Sequence, residues 1–242
     1  MSGRIYGIGL GPGDPELMSV KAHRLLREAR HVAYFRKEGR AGRARKLADG
    51  LFPEAAQEFA MEYPVTTEIP LSDPRYNEIL SAFYSDCTAH LAALAAQGED
   101  VVVLCEGDPF FYGSFMHLYT RLKDNADVEV VPGITGMSAA WTATEAPITW
   151  GDDVLSVLMG TLPSDDLVRH MGAADALVIM KIGRNFSKIC EALKVAGKFD
   201  AAVMVEFAAM EGQTVQPLRD VFPDHKAPYF SIIIVHGHGR RP

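Results

Sequence analysis

GRIYGIGLGPGDPELMSVKA, residues 3–22, is the stretch that decides the fold. A short apolar run leads into a turn with glycine at every second position, namely Gly7, Gly9, Gly11 and Gly13. Glycine tolerates positive φ and lets the backbone approach a ligand closely. We expect Asp14 to cap a helix that begins at Pro15, because proline's fixed φ and missing N–H suit the first helical position. The stretch therefore predicts a strand, a ligand-binding turn and a helix.

The turn fits neither of two familiar phosphate-binding patterns. In GxGxxG the third glycine falls on Pro12 when counting starts at Gly7, and on Asp14 when it starts at Gly9. A P-loop needs a lysine and a hydroxyl residue that are missing here. The turn is interpreted as a ligand loop of another kind, and a purely structural turn is the alternative.

Length, composition and charge narrow the class of protein. The 242 residues suffice for two compact domains, and 48% of them are hydrophobic. No uninterrupted apolar run approaches the roughly 20 residues of a membrane helix, and the N-terminus has no signal-peptide pattern. We therefore expect a cytoplasmic protein with no membrane partner. The net charge of −7 argues against a nucleic-acid partner.

Cysteine and histidine give no metal-site pattern. The three cysteines, Cys87, Cys105 and Cys190, are scattered, which favours buried thiols over a disulfide framework or a CxxC site. His236 and His238 stand close together near the C-terminus, where a frayed tail is the favoured interpretation over a metal site. We expect no metal.

Apolar runs alternate with helical patterns along the chain. Strands are expected at 4–9, 31–35, 101–105, 128–131, 154–159, 176–180, 201–206 and near 213–218 and 229–235; helices are expected at 16–28, 76–96, 114–122, 135–144, 164–171 and 185–196. The first half predicts parallel βαβ units, and the hairpin-like end of the second half predicts a mixed sheet. We place the domain boundary between 1–146 and 147–242, because EAPITWGDD interrupts the helical pattern.

Ligands of open parallel sheets bind beyond the carboxyl ends of the strands. Three loops of the first half lie in that position: 7–14, 106–113 and 132–136. We therefore expect the functional site to be built from these loops.

Five motifs carry a family resemblance. They are GLGPGDPELMSVKA, EGDPFFYGS, VPGITGMSA, LVIMKIGRN and VMVEFAAMEGQ, in that order along most of the chain. Together they resemble the tetrapyrrole methylases, which transfer methyl groups from S-adenosylmethionine. The resemblance implies an α/β protein of two domains, with an N-terminal parallel sheet, a C-terminal mixed sheet and the donor in the cleft between them. It also implies a homodimer.

The resemblance assigns residues to the methyl donor. By their places in the motifs they are Pro12, Gly107, Asp108, Phe111, Thr135, Gly136, Ile182 and Ala208. The chain departs from many members at Glu106, where a second glycine is common, and at Phe207-Ala208. Asp108 has the chemistry to accept a hydrogen bond from the donor's ammonium or ribose hydroxyls. Asp-Pro is also a common turn opener, and both roles stay open.

Four stretches indicate the substrate class. VAYFRKEGRAGRARKLAD, YPVTTEIP, CEGDPFFYGSFMHLYTRL and APITWGDD most resemble members that methylate the C-20 carbon of precorrin-2, a tetrapyrrole with several carboxylate arms. Segment 36–46 holds six basic residues and one acidic residue. It is either a solvated loop or a clamp for this polyanion. The clamp candidates are Arg36, Lys37, Arg40, Arg43 and Lys46, and weaker substrate-side candidates are Thr66, Thr67 and Trp150.

The tetrapyrrole gains a carbon–carbon bond and must lose a proton, so an acceptor nearby would help without being essential. The candidates are Asp14, Glu106, Tyr112 and His117. We place Tyr112 and Glu106 first as catalytic residues; the alternative is that water or the substrate's own nitrogens take the proton.

Other functions stay open at this point. Within the enzyme class they are methylation at another ring position and methylation of cobalt-factor II. A dinucleotide-dependent oxidoreductase is a remote alternative, since the glycine spacing fails. A noncatalytic donor-binding subunit of the corrin pathway would bind the donor without turnover.

Overall fold

The computed structural model describes residues 2–65, 69 and 73–240, so Thr66 and Thr67 lie outside the described residues. It divides the chain into two compact units, Met1–Thr135 and Gly136–Pro242. Each unit is built on one five-stranded sheet.

The sheet of the first unit is wholly parallel. Its strands are β1 (Arg4–Gly9), β2 (His31–Lys37), β3 (Gln57–Tyr63), β4 (Val101–Cys105) and β5 (Asp127–Val131), in the order β3-β2-β4-β1-β5. This confirms the predicted parallel sheet. The sequence analysis missed β3, which lies at the sheet edge and is mostly exposed or half-buried, so it lacks the continuous apolar run that marks β4.

Helices cover both faces of this sheet. They are α1 (Val20–Arg27), α2 (Arg43–Leu47), α3 (Pro74–Ala96) and α4 (Phe115–Leu122). Leu26 of α1 and Ala44 of α2 share one buried cluster with Ile8 of β1. Leu91 of α3 and Leu118 of α4 belong to the cluster on the opposite face. The neighbouring strands β1 and β4 therefore send their helices to opposite faces, and such a switch point opens a crevice at the carboxyl ends of the strands.

The start of the first helix differs in part from the expectation. Asp14 does cap a helix beginning at Pro15, since its side chain accepts from the Glu16 N–H at 2.9 Å. That helix is a single 3-10 turn, Pro15–Leu17. Ser19 then caps α1 separately by accepting from the Ala22 N–H at 3.2 Å. The expected helix 16–28 is thus two helices, because Ser19 is extended and offers its own cap.

The sheet of the second unit is mixed, as expected. Its elements are α5 (Gly136–Ala143), β6 (Leu155–Met159), α6 (Ser164–Ala173), β7 (Ala176–Met180), α7 (Phe186–Val195), β8 (Ala202–Glu206), β9 (Thr214–Pro217) and β10 (Ser231–Val235). The strand order is β6-β7-β10-β8-β9, and β10 runs antiparallel to both neighbours. Since β7 and β8 both oppose β10, they are parallel to each other and their carboxyl ends lie at one edge.

The division between the units falls eleven residues before the boundary placed at 146/147 from the sequence. The reason is the packing of α5. Its fully buried Ala140 joins a cluster with Val178 of β7, Val205 of β8 and Ile232 of β10. The helix that follows β5 in sequence therefore belongs to the second sheet by contact.

The expectation of a frayed tail is wrong for the segment around His236. Its Nε2 lies 3.0 Å from the Thr144 hydroxyl and its Nδ1 lies 2.9 Å from the Pro147 carbonyl oxygen. Farther on, the Gly239 N–H donates to Asp153 at 3.2 Å. These hydrogen bonds hold the tail against the segment that follows α5, and no local sequence signal announces such long-range contacts.

In the described part of the chain, α3 is the one helix whose length and composition match a membrane span. By themselves these properties are weak grounds for a span, since core helices share them. Tyr84, Cys87, Leu91 and Ala95 recur along α3 at helical spacing and pack into the first unit's core. This stripe is that of an amphipathic helix docked on a sheet.

Candidate functional site

The loops after β1 and β4 are joined directly by their backbones. Gly11 and Gly107 form an isolated antiparallel bridge, in which the Gly107 N–H donates to the Gly11 carbonyl at 2.9 Å and the Gly11 N–H to the Gly107 carbonyl at 3.3 Å. Both glycines have positive φ, 78° and 63°. This bridge lies at the switch point between β1 and β4, so the two loops meet where a ligand crevice is expected.

The loop after β5 approaches the same point. A Cβ on Gly133 would stand 2.1 Å from the Gly107 carbonyl oxygen and 2.8 Å from the Gly9 Cα. A Cβ on Gly9 would stand 2.6 Å from the same oxygen. These distances are far below any van der Waals contact, so only glycine allows the three loops to come this close. The structure thus brings together the three loops that the sequence predicted as the site.

Asp108 ties two of these loops together. One carboxylate oxygen accepts from the Phe110 N–H at 2.8 Å, and the other accepts from the Gly133 N–H at 3.0 Å. The turn-opening role foreseen for Asp108 is therefore present. Each carboxylate oxygen has a second lone pair, so these bonds leave acceptor capacity for a ligand.

The other first-unit donor residues differ in exposure. Pro12 is buried, whereas Phe111 and Thr135 are half-buried. Tyr112 is 48% exposed, has a φ of 53° and meets the Phe111 ring edge to face at 4.9 Å. Positive φ costs a tyrosine of the order of 1–3 kcal/mol, and such strain concentrates at functional loops.

Glu106 stands at the start of the second loop and is half-buried. Burial raises the pKa of its carboxyl, while the charge of Arg43 and a hydrogen bond from the Ala44 backbone N–H act in the opposite direction. The carboxylate therefore faces the start of α2. A sequence motif shows that a glutamate is present, but only the packing of α2 gives it these partners.

The other two proton-acceptor candidates already have partners. The Asp14 carboxylate caps the 3-10 helix. The His117 ring stacks on Tyr84 with centroids 4.6 Å apart, and partial desolvation, followed by the charge of Arg121, lowers the pKa of His117.

The basic segment, residues 36–46, lies largely at the surface. Arg36 contacts Glu62 at 2.5 Å, so its charge is partly balanced. Lys37, Arg40, Arg43 and Lys46 are exposed. Arg45, which was not a candidate, is held by Glu58 at 2.7 Å and Asp49 at 3.0 Å. The sequence analysis expected no helix in this segment, whereas Arg43–Leu47 forms α2.

The second unit carries its own loops at the carboxyl ends of β7 and β8. Ile182, expected to contact the donor, is buried in the core at 1% exposure. Ala208 is half-buried and lies between Phe207 and Ala209, whose φ values of 53° and 57° are positive. Lys181, directly before Ile182, also has a positive φ of 54°. Sequence reasoning missed these strained residues, because nothing in a non-glycine residue signals positive φ.

Trp150, the remaining substrate-side candidate, lies in the second unit and is half-buried. Its backbone N–H donates to Asp153 at 2.8 Å. Within residues 2–65, 69 and 73–240, no three side chains of His, Cys, Asp or Glu gather into a group that could hold a metal ion.

Comparison with known proteins defines the class. The family model of the Tetrapyrrole (Corrin/Porphyrin) Methylases matches residues 4–221. This chain belongs to that family. The switch-point glycines and the two sheets described above are thus the framework of a methyltransferase.

Individual relatives narrow the comparison. The chain is 46% identical over 240 residues to a protein of Sinorhizobium sp named precorrin-2 C(20)-methyltransferase. The matched region covers 99% of this chain and 98% of the relative. It is 26% identical to the cobalt-precorrin-2 C(20)-methyltransferase of Salmonella typhimurium, and the matched region covers 98% of this chain and 97% of the relative. Among solved structures, uroporphyrin-III C-methyl transferase from Thermus thermophilus complexed with S-adenosyl homocysteine superposes with a TM-score of 0.67 and 26% identity, covering 96% and 97%.

The first prediction concerns the glycine contacts. Gly133→Ala should weaken binding of S-adenosylhomocysteine by more than about tenfold, because its Cβ would meet the Gly107 carbonyl oxygen and push two loops apart. Isothermal titration calorimetry measures the affinity. The matched control is Gly172→Ala, since a Cβ there meets nothing within 4 Å and Gly172 lies in α6. Equal affinity in a folded Gly133→Ala protein would contradict the role given to this contact.

The second prediction concerns Glu106. Burial raises the pKa of the Glu106 carboxyl, so ionisation of this group destabilises the folded state. This destabilisation is complete at a pH above the folded-state pKa and absent at a pH below the unfolded-state pKa. Glu106→Gln should therefore gain stability relative to the parent protein as the pH rises from about 4 to about 8. Urea denaturation at both pH values measures this.

Glu129→Gln is the control of opposite sign. Glu129 has a lowered pKa because Lys21 donates a hydrogen bond to it, so its ionised form stabilises the fold above the unfolded-state pKa. The stability of Glu129→Gln relative to the parent protein should therefore fall as the pH rises from about 4 to about 8. A Glu106→Gln difference that does not change with pH would refute the burial effect.

Proposed function

We propose that this protein transfers a methyl group from S-adenosylmethionine to C-20 of precorrin-2, giving precorrin-3A in cobalamin biosynthesis. The observation that carries the proposal is the 46% identity with the Sinorhizobium relative over almost the full length of both chains. The loops of the first unit support it, since their arrangement offers backbone donors, a carboxylate and aromatic faces together.

The described residues fit the methyl donor chemically. The donor supplies an electrophilic methyl group on a sulfonium. Asp108 offers a carboxylate for a cationic or hydroxyl group, and Pro12, Gly107, Phe111 and Thr135 offer backbone groups and an apolar face. In the second unit, the family resemblance gives Gly136, Ile182 and Ala208 to the donor. Since Ile182 is buried, its proposed contribution is the backbone of its turn.

The basic segment is proposed to hold the substrate's carboxylates. An acidic protein with a net charge of −7 needs local positive potential to attract a polyanion. Lys37, Arg40, Arg43 and Lys46 are exposed on or beside α2, where a substrate could reach them; a solvated surface segment is the alternative, and it has the same exposure. Arg36 is a weaker member because it pairs with Glu62.

Tyr112 is the proposed proton acceptor or relay. It is exposed on the strained second loop, where a hydroxyl can reach a bound substrate. Glu106, the other catalytic candidate, faces Arg43 and the Ala44 N–H, which supports a role in fixing α2 beside the donor loop. Positioning of the reacting groups is worth roughly 7–11 kcal/mol in well-oriented reactions and supplies most of the catalysis in this scheme.

The alternatives are unequal. A cobalt-bearing substrate, such as cobalt-factor II, has in its favour the Salmonella relative named after cobalt-precorrin-2, at 26% identity against 46% for the relative named after precorrin-2. A dinucleotide-dependent oxidoreductase is at odds with the family of the chain. We further propose that the enzyme is a homodimer, as the family resemblance implies, and that it is cytoplasmic and without a resident metal, as the sequence patterns indicate.

The third prediction tests the reaction. Anaerobic incubation of the protein with S-adenosylmethionine and precorrin-2 should add one methyl group, detected by mass, at C-20, assigned by carbon NMR. Donor binding without transfer to precorrin-2 but with transfer to cobalt-factor II would establish the cobalt alternative. Donor binding without transfer to either substrate would indicate a noncatalytic subunit.

The fourth prediction tests the clamp. Arg40→Ala combined with Lys46→Ala should raise the KM for precorrin-2 by about fivefold, since two exposed ion pairs of roughly 0.5 kcal/mol each amount to about 1 kcal/mol. The KM for the donor should not change, and the difference should shrink at high salt. The matched control is Arg27→Ala with Lys123→Ala, two exposed cations outside the segment. An unchanged substrate KM would leave the segment as a solvated loop.

A further inference from the structure

The most unusual polar group of the second unit lies under the turn that carries Ala208. Among residues 2–65, 69 and 73–240, the buried polar side chains are Glu206, 8% exposed, and Ser231, 2% exposed. They stand opposite each other on the paired strands β8 and β10. Burying a carboxylate is costly unless hydrogen bonds compensate for the lost water. Glu206 therefore requires hydrogen-bond partners, and these partners identify the segments of the chain that its carboxylate connects.

The main partner of Glu206 comes from a distant part of the loop before β10. His225 Nε2 lies 2.8 Å from Glu206 Oε1, and the Ser231 hydroxyl lies 3.3 Å from the same oxygen. The hydroxyl has one proton and is nearer to the Pro228 carbonyl oxygen, at 2.8 Å, which makes that oxygen its main acceptor. A carboxylate oxygen accepts, so this contact is a hydrogen bond when His225 carries a proton on Nε2. This is a carboxylate held by a histidine, and the serine is not activated as a nucleophile.

The pair connects the two donor turns of the second unit. Glu206 immediately precedes the strained turn Phe207–Ala209, whose backbone is also tied to the same loop by the Phe207 N–H donating to the Phe230 carbonyl at 2.8 Å. On its other side, the His225 ring meets Phe186 edge to face, with centroids 5.8 Å apart. Phe186 begins α7 directly after the 3-10 turn that follows Ile182.

We propose that Glu206 and His225 are positioning residues that lock the Ala208 and Ile182 turns into the conformation that binds the methyl donor. This inference rests on the proposed function. Neither residue touches the reacting atoms in this scheme. The pair instead fixes the loop over the end of β8, so that the positive-φ turn is already formed before a ligand arrives. Preorganisation of this kind improves affinity because less ordering is needed on binding.

The experiment separates the hydrogen bond from the ring. His225→Phe keeps an aromatic ring against Phe186 but removes the donor to Glu206, whereas His225→Gln keeps an N–H donor at a position comparable to Nε2. Glu206→Gln keeps the acceptor oxygen, and Glu206→Ala removes it. The matched control is His170→Phe, because His170 is an exposed residue of α6.

The readouts are the dissociation constant of S-adenosylhomocysteine by calorimetry and the steady-state constants for the donor. His225→Phe and Glu206→Ala should raise both the dissociation constant and the donor KM by about tenfold, the worth of one hydrogen bond to a charged group. At saturating donor, kcat should stay within about twofold, and His225→Gln and Glu206→Gln should restore most of the affinity. If Glu206→Ala does not fold, the two His225 variants carry the test.

The outcomes distinguish this inference from the proposed function. If the parent protein binds no S-adenosylhomocysteine, the proposed donor site is wrong and this inference fails with it. If the parent binds and methylates but folded His225→Phe protein binds equally well, the positioning role is overturned while the proposed function stands. A fall in kcat with unchanged donor KM would also overturn it, because it would place the pair in the chemical step.

Discussion

Everything at the first unit's site depends on how closely three backbone segments approach one another. The Gly107 carbonyl oxygen lies where a Cβ of Gly9 or Gly133 would have to be, and Gly107 and Gly11 pair by two hydrogen bonds. A side chain at either contact would separate the loops that follow β1, β4 and β5. The parallel sheet supplies the common edge, and the glycines allow the three loops at that edge to come into backbone contact.

The strain in the structure is concentrated at the same kind of place in both units. Among the described non-glycine residues with positive φ, Tyr112 follows β4, Lys181 follows β7, and Phe207 and Ala209 follow β8; Glu145, which follows α5, is the exception. Each of these conformations costs of the order of 1–3 kcal/mol and persists only where neighbouring contacts determine it. In the second unit those contacts include the buried carboxylate of Glu206. Stability is thus given up mainly after the carboxyl ends of strands, where ligands of parallel sheets generally bind.

Six positively charged residues of the first unit are gathered in one segment, residues 36–46. The chain is acidic overall, yet the segment after β2 gathers cations on the first unit's carboxyl edge. Some of them are neutralised locally, as Arg36 is by Glu62 and Arg45 is by Glu58. Lys37, Arg40, Arg43 and Lys46 are exposed, and Glu106 of the loop after β4 faces the start of α2. The loop after β4 and the basic segment therefore meet at the start of one short helix.

Sequence by itself determined the α/β class, the mixed second sheet, most strands and helices, and the three loops of the site, because hydrophobic periodicity and glycine or proline punctuation are local properties. It did not reveal β3, whose edge position leaves it without an apolar run, nor that α5 packs on the second sheet. Tertiary structure alone decided that Asp108 bridges two loops, that Glu106 faces α2 and that Glu206 meets His225. Each of these contacts joins residues far apart in the chain, so it leaves no local pattern in the sequence. A positive φ in a non-glycine residue, as at Phe207, leaves no local pattern either.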